Sequence, residues 1–580
     1  MLHNSRNMNQ RPTEEGARAL DYRTWAALGA SLAYAALSLV PAPAFVEAAL
    51  SRELFGWSNL WLVRAAVALG GGAVALGIWR MSRNGVRLPL MFCLVLVVAT
   101  LCAAANLVLI GKYLAGLIPN TWTNDVIELY AAHKGGLVDL YELGNAFSPP
   151  LLTPLYGPGY FFTLQSIRKL LDVDAGLAAR LVSTLAIIGL TGGVYLAARQ
   201  LLPRLPAAVA PLIFWATFPT LVWSGPPTKP EYLACALAIL AFGLCLGEKS
   251  TQSSARVFFG GALFGAALLV KFTIVAMFGA LLLHYAVQRR WRGLAIVAVG
   301  SAMPLLLVYA TLWGPTHGGV WLFTVTGNAA RPDFGRAFIA TFENTLPFVV
   351  PALVIAAAAS WLWSARLRSA RGVVSLAALL SFAGFMVSSS RPGSSANYLL
   401  EFAVLATVIL AAVINDELTD SALTVRSGLV LTLIAVVLSA DLPRRYALLA
   451  QSASRYGGDR AVARSVLSDI KTSADEFILT APDYARETIE TRHTPLVYDA
   501  LQFTLMQDNG KVSDVPILEA LRGGRVRHAV LKDDLDIEEQ KGYGRRNFSS
   551  ETLRYLRDHF DCRSVSFQHI RGSVVHCTLR

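Results

Sequence analysis

Charge is scarce in this chain. Only 16% of its 580 residues are Asp, Glu, Lys or Arg, against about 25% in a soluble globular protein. Apolar residues make up 54% of the sequence, and the mean hydropathy is +0.48. That balance excludes an ordinary soluble domain and points to an integral membrane protein. Cysteine is also sparse, at 6 residues. Cys93 and Cys102 share one apolar run and Cys235 and Cys245 another, where they read as small buried hydrophobes. No cysteine spacing marks a zinc or redox site. Although the net charge is +12, no basic–aromatic patch is present, so nucleic acid is not an expected partner. The basic residues fall in short clusters between apolar runs, where they set orientation and meet anionic headgroups.

What is present is a succession of apolar runs. A spanning helix needs about 20 apolar residues, and about thirteen such runs can be read. They lie near 25–45, 60–79, 89–110, 177–198, 206–224, 232–247, 257–270, 272–287, 294–313, 346–364, 372–389, 397–414 and 427–440. The expected fold is mainly α: a polytopic transmembrane helix bundle followed by a small C-terminal α/β domain outside the membrane. Residues 1–24 are polar and form a cytoplasmic N-terminal segment, 25–440 the membrane domain, and 441–580 the outer domain. Arginine and lysine clusters fall in register with this count: Arg80, Arg83 and Arg87; Arg199 and Arg204; Lys249 and Arg256; Arg289, Arg290 and Arg292; Arg366, Arg368 and Arg371. Positive loops face the cytoplasm. The long loop 111–154, the turn Gly225–Glu231, the loop 314–343, the segment 388–397 and the tail are then outside. In a bacterium, that is the periplasmic face of the inner membrane.

The run Val257 to Val287 is too long for one span and too short for two. Two short helices meeting near Lys271 satisfy it, with the lysine at water, a cavity or a phosphate, because a lysine at the bilayer centre costs about 2.5 kcal/mol or more. In the tail, Ala461–Ile470 is amphipathic. Phe477–Leu479 and Ala529–Leu531 read as buried strands, and 563–568 and 573–579 as a closing hairpin. Cys562 and Cys577 flank that hairpin and are a candidate disulfide in an oxidising compartment.

Loop 111–154 carries the most unusual polar set, including Asn124-Asp125-Val126-Ile127-Glu128-Leu129-Tyr130. Long loops are usually functional. A carboxylate such as Asp125 at an outer surface can take the proton of an acceptor hydroxyl as that oxygen attacks an activated carbon. A phosphate leaving group then needs cations. The cations on the same side are Lys229, Lys271, Arg331, Arg336 and Arg391. Asp125 equally suits a helix N-cap, and Glu128 a first-turn acid. Thr228-Lys229-Pro230-Glu231 has the form of a capping box that leaves Lys229 spare. Tyr398 and Glu401 share a helix face. Glu401 enters an apolar run, where an acid is a functional candidate by default.

These motifs together resemble the GT-C superfamily of polytopic glycosyltransferases that use polyprenyl-phosphate sugars. The pattern is similar to glycosyltransferase family 39, the protein mannosyltransferase and aminoarabinose transferase relatives. The resemblance rests on Asp125 and Tyr130 and on Thr153-Pro154-Leu155-Tyr156 leading to Tyr160-Phe161-Phe162. It continues through Ala179-Arg180-Leu181, Lys229-Pro230-Glu231, the glycine-rich run ending at Lys271, and Ser395-Ala396-Asn397-Tyr398-Leu399-Leu400-Glu401. Two positions depart from it. Val126 stands where relatives often have a second acid, and Thr153 where some have a lysine.

The resemblance implies an inverting transfer with Asp125 as catalytic base. Glu128, Tyr130, Lys229, Lys271, Arg391, Tyr398 and Glu401 are the expected substrate-binding residues. The expected partners are a polyprenyl-phosphate-linked sugar donor, a lipid, glycan or protein acceptor, and the bilayer. No cofactor and no tightly bound metal are expected. The rival readings are a transporter or flippase of lipid-linked sugars, which predicts internal repeats and broken helices at mid-depth, and a non-catalytic polysaccharide assembly protein.

Overall fold

The computed structural model describes residues 122–132, 136–154, 156–217, 229–247, 253–327, 367–390, 396–419, 458–541, 546–567 and 573–580, with a few isolated positions elsewhere. The spans expected at 25–45, 60–79 and 427–440, and most of those at 89–110 and 346–364, lie outside the described residues. So do Arg331, Arg336, Arg391 and the expected domain boundary near 440.

The described part of the expected membrane region is helical. The first two helices are Trp122–Ala132 (α1) and Pro158–Leu171 (α2). Ala175–Ala198 (α3), Val209–Thr217 (α4), Pro230–Cys245 (α5) and Ser254–Val270 (α6) follow. Ala276–Val287 (α7), Trp291–Trp313 (α8), Ala370–Ser389 (α9) and Leu400–Thr419 (α10) complete it. Three helices are long and apolar enough to cross a membrane, among the described residues: α3, α8 and Ala370–Ser388 of α9. The chain is a multi-pass membrane protein. The α8 helix has 23 residues, roughly 34 Å at 1.5 Å each. Its exposed Val299, Met303, Leu306 and Leu307 form a lipid-facing side, with exposed Trp291 and Trp313 at the ends. That is the placement of interfacial aromatic anchors.

Helices α3, α5, α6 and α8 pack in series, and α7 packs on α9. The α6–α8 crossing is close because both partners are glycine at the contact. A Cβ on Gly261 would lie 2.5 Å from the Val297 carbonyl oxygen, and one on Gly300 2.5 Å from that of Phe258. Small residues at membrane helix crossings let backbones approach in this way.

The described part of the expected loop 111–154 holds α1 and the short turns Gly136–Leu140 and Leu143–Ala146. Helix α2, unread in the sequence, follows it. Its start has Pro158 at a first-turn position after Gly157, a position where proline's missing N–H costs nothing.

Residues 458–580 contain a four-stranded sheet: β1 (Phe477–Thr480), β2 (Val526–Leu531), β3 (Phe560–Val565) and β4 (Val574–Leu579). The order is β1-β2-β4-β3, with β1 and β2 parallel and the other pairs antiparallel. A parallel pair needs a long crossover, supplied by Ala485–Glu490 (α11), Ala500–Asp508 (α12) and Val515–Arg522. Both sheet faces are covered. Ile478, Val530 and Val574 pack with Val462, Val466 and Leu467 of the helical residues 458–469, while Leu479, Ala529 and Val575 face the main core. Burial on both faces explains why Phe477–Leu479 and Ala529–Leu531 read as continuous apolar runs rather than alternating ones. Cys562 and Cys577 are register partners and form a disulfide.

This region packs directly on the segment between α1 and α2. Leu151 N–H donates to the Leu496 carbonyl at 2.8 Å, and Tyr498 N–H to that of Leu151 at 3.1 Å, forming a short parallel bridge between Leu151 and Val497. The main apolar core runs unbroken through Leu151, Leu496 and Val497.

Candidate active site

The candidate site grows from the break between α6 and α7. Lys271 follows the last residue of α6 with extended backbone, φ −157° and ψ 120°, and α7 starts only at Ala276. The two short helices expected around this lysine are therefore present. The segment before α2 lies against the break, and Gly157 N–H donates to the Val270 carbonyl at 3.1 Å. A Cβ at Gly157 would stand 1.9 Å from the Leu269 carbonyl oxygen, so only glycine lets the two backbones meet here.

That approach brings Tyr156 to Lys271. The ammonium lies 5.7 Å from the Tyr156 ring centroid and 4.3 Å from that of Tyr398. It also forms an ion pair with Oε1 of Glu231, and both side chains are nearly fully buried. Lys229, itself buried, is within electrostatic reach of Glu231 and Lys271. The capping-box reading of this turn is corrected. The residue at the cap of α5 is Lys229, with no side-chain capping bond, and Glu231 serves Lys271 instead. Thr228 lies outside the described residues.

Glu401 takes a capping role across the bundle. Its Oε1 accepts from Met277 N–H at 2.7 Å, in the first turn of α7, where free amides and the helix dipole favour a carboxylate. Glu231, Tyr398 and Glu401 line one cavity of ≈ 220 Å³, walled by Ile274, Leu380 and Phe385. Ser381 also lines it, and its buried hydroxyl has no hydrogen-bond partner among the described residues. Of the expected site residues, Lys229, Lys271, Tyr398 and Glu401 thus meet in one place. Tyr156 and Glu231 join them.

Asp125, Glu128 and Tyr130 lie on α1 instead. Asp125 is the fourth residue of that helix, so it is not the N-cap; its carboxylate lies outside what the structure describes. Glu128 is buried and pairs with Arg486 of α11, Oε2 to Nη1 at 3.1 Å. Tyr130 accepts from Thr153 N–H at 3.2 Å and stacks on Tyr498 with ring centroids 6.2 Å apart. Burial, and secondarily the nearby charge of Asp499, pushes its phenol well above the usual range, so it stays a neutral hydroxyl. An aromatic chain links the two zones. Tyr130 meets Phe161 at 5.9 Å, and Phe161 meets Tyr156 at 6.5 Å.

Asp499 is a further acid that the sequence reading does not single out. It is buried and acts electrostatically on both Tyr130 and Tyr156. Burial drives its carboxyl up to about 7, against a hydrogen bond from Gln502 N–H and with added repulsion from Asp483. In sequence it looks like an N-cap, which it also is, accepting from Gln502 N–H at 3.1 Å. Carboxylate pairs at Asp-x-Asp spacing, able in principle to meet on one metal, occur at Asp172–Asp174 and Asp534–Asp536. Asp174 and Asp534 cap the helices that follow them, accepting from Leu177 N–H at 2.8 Å and Asp536 N–H at 3.0 Å.

Residues 154–313 match the family described as dolichyl-phosphate-mannose-protein mannosyltransferase. The match contains Tyr156, Lys229, Glu231 and Lys271, and leaves Asp125, Tyr398 and Glu401 outside it. It bears out the resemblance to GT-C glycosyltransferases. Among solved structures, the chain is similar to apo ArnT from Cupriavidus metallidurans at 15% identity and TM-score 0.49, over 79% of this chain and 93% of that one. ArnT bound to undecaprenyl phosphate gives 14% identity and TM-score 0.45, over 81% and 97%. The archaeal oligosaccharyltransferase AglB from Archaeoglobus fulgidus, in complex with an inhibitory peptide and a dolichol-phosphate, gives 13% identity and TM-score 0.45, over 83% and 74%. No curated protein matches the chain.

Proposed function

We propose that this chain is a GT-C-type membrane glycosyltransferase that moves a sugar from a polyprenyl-phosphate donor to an acceptor hydroxyl. In this reading the transfer proceeds with inversion on the periplasmic face of a bacterial inner membrane. Asp125 takes the proton of the acceptor hydroxyl as its oxygen attacks the anomeric carbon. The bond from that carbon to the phosphate oxygen breaks, and the polyprenyl phosphate leaves with the electron pair. The observation that carries the reading is the buried Lys271 at the α6–α7 break, with Lys229 near it and inside the segment that matches the mannosyltransferase family.

A lysine so placed would be costly without a compensating anion. Glu231 supplies one, and a donor phosphate would supply a stronger one, drawing on the three donors of each ammonium. Charge developing on the departing phosphate would meet fixed cations in a site largely shielded from water, where such stabilisation is most effective. Tyr156 and Tyr398 flank the same ammonium, and would offer ring faces to the first prenyl unit or the sugar. Arg391 is proposed as a further phosphate ligand.

The test is transfer of radiolabelled sugar from a panel of polyprenyl-phosphate sugars to lipid, glycan and protein acceptors. Asp125→Asn serves as the control. The expected result is transfer by the wild-type chain and none by an Asp125→Asn protein that inserts and folds normally. Wild-type turnover by the variant would remove Asp125 from its role. Passage of an intact lipid-linked sugar across the bilayer, without transfer, would favour a flippase.

A further inference from the structure

Helix α1 carries Asp125 and is held from three directions. At its C-terminal end, Arg168 Nη1 donates to the carbonyls of Ala132 at 3.2 Å and Ala131 at 3.4 Å, satisfying orphan acceptors of the last turn. In the same last turn, Tyr130 meets the edge of Phe161 and stacks on Tyr498. One turn beyond Asp125, Glu128 is wedged between the start of α3 and the C-terminal region. A Cβ added to Gly176 would already stand 3.0 Å from Glu128 Oε2, and Arg486 closes the other side.

Arg486 is not a lone surface partner. Its Nε holds Glu490 Oε1 at 2.7 Å while Nη1 holds Glu128. Glu490 is paired in turn with Arg464. Arg464 also stands 3.9 Å from Glu487, and Arg460 Nε donates to Glu487 at 2.6 Å. Three arginines and three glutamates therefore alternate from the helical residues 458–469, through α11, to α1. An isolated exposed pair contributes little, but a network with a buried member does not behave as one. This network has two such members, Glu128 with its side chain 8% exposed and Glu487 with 1%.

We infer that Arg486 is a positioning residue for the transfer reaction: reaching from the C-terminal region, it clamps Glu128 and so sets the rotation and depth of the helix that carries Asp125. The inference rests on the role proposed above for Asp125. Residues 125 and 128 are three apart on one helix and share a face, so any shift of Glu128 that follows loss of the Arg486 contact carries the backbone of Asp125 with it. A displacement of about 1 Å at a reacting group can cost about a hundredfold in rate. Lysine replaces Arg486 only in part, because the fork engages Glu128 and Glu490 through different nitrogens, whereas an ammonium is a single point.

The test compares wild type, Arg486→Lys, Arg486→Ala, Glu128→Gln and the double variant Glu128→Gln/Arg486→Ala as full-length proteins. Two readouts are taken: initial rates of sugar transfer and amide hydrogen exchange across 122–132. Arg486→Ala should lower kcat on the order of tenfold with donor KM within about twofold, with Arg486→Lys intermediate. Exchange in α1 should quicken by a similar factor. In the Glu128→Gln background, where no buried charge needs holding, adding Arg486→Ala should change little further. Unchanged kcat and unchanged α1 exchange in Arg486→Ala overturn the inference while leaving the transferase reading intact. An equal kcat loss from Arg486→Ala in both backgrounds overturns it as well, because Arg486 would then act by another route. A wild-type chain that transfers no sugar from any donor takes down the transferase reading, and this inference with it.

Discussion

Lys271 is paired with Glu231 across the break between α6 and α7, and its ammonium lies 4.3 Å from the ring centroid of Tyr398. Both charged side chains are nearly fully buried, so each depends on the other for most of its compensation, with Lys229 adding to that of Glu231. Removing one partner of a buried pair costs about 3–5 kcal/mol, because the remaining charge is left uncompensated. Lys271→Met alone and Glu231→Gln alone are each expected to lower thermal stability by that order, and the double variant by less than the sum. Thermal unfolding of the detergent-solubilised protein checks this. A polyprenyl phosphate added in excess should recover part of the loss in Glu231→Gln, where it can replace the missing anion, and none in Lys271→Met. Equal recovery in both variants would place the phosphate elsewhere.

Gly157 predicts a loss of site geometry without any change of chemistry. A Cβ there meets the Leu269 carbonyl oxygen at 1.9 Å, the Leu269 carbonyl carbon at 2.7 Å and the Val270 carbonyl oxygen at 3.0 Å. All three are backbone atoms, so no rotamer change relieves the clash. Gly157→Ala should push the segment bearing Tyr156 away from Lys271, costing about 1–3 kcal/mol as overpacking does. The check is donor affinity and thermal stability, both of which should fall. Gly192→Ala, where no atom lies within 4 Å of the added Cβ, should leave both unchanged.

How far the site is legible in the sequence depends on whether a residue's role is local. The break at Lys271 is visible because an apolar run of awkward length with a lysine inside it has few solutions. Glu401 stands out as an acid in an apolar helix, yet its partner is an amide 124 positions away, which no local pattern reveals. Glu231 misleads for the same reason. Thr228-Lys229-Pro230-Glu231 has a complete local explanation as a capping box, and the actual partner, Lys271, is 40 residues on. Arg486 and Asp499 sit in ordinary helical and capping contexts. They acquire meaning only when the C-terminal region docks on α1, with Arg486 reaching a carboxylate 358 positions earlier. Helix α2 carries its signals openly, with Pro158 in the first turn and Arg168 and Lys169 in the last, but its polar lead-in makes it read as the end of a loop. Strands β1, β2 and β4 are legible because their apolar runs are short and bounded by polar turns, whereas β3 begins at Phe560, three residues before the expected start at Arg563, because its sequence is mostly polar.

The Cys562–Cys577 disulfide ties the edge strand β3 to β4, with a sequence separation of 15. Closing a loop of that length removes about 3 kcal/mol of unfolded-state freedom in the chain-entropy account. Replacing both cysteines by serine should lower the stability of the C-terminal region by that order. Because this region holds α1 through Glu128 and Tyr130 and the segment that follows it through Leu151, the same variant should also lose transfer activity at temperatures where the membrane helices remain folded. Circular dichroism melts alongside activity against temperature would show it. Activity that persists up to the melting of the helices would mean the docked region is dispensable.

Asp499 makes the docking of the C-terminal region dependent on pH. Its carboxyl is raised to about 7 chiefly by burial, against about 3.9 in an unfolded chain. Between those values the folded protein keeps a proton that the unfolded chain has lost, so stability falls as pH rises. The contribution is fully present below about pH 4 and is lost as pH passes through 7, a change on the order of 4 kcal/mol. Above that pH the carboxylate sits charged among Tyr130, Tyr156 and Asp483. An asparagine at this position would keep the N-cap, since Asn and Asp cap about equally well, while removing the titration. Asp499→Asn should therefore match wild type in melting temperature near pH 4 and exceed it progressively toward pH 8. Melting curves of both proteins across that range decide it. Parallel pH profiles would mean that Asp499 does not carry the proton.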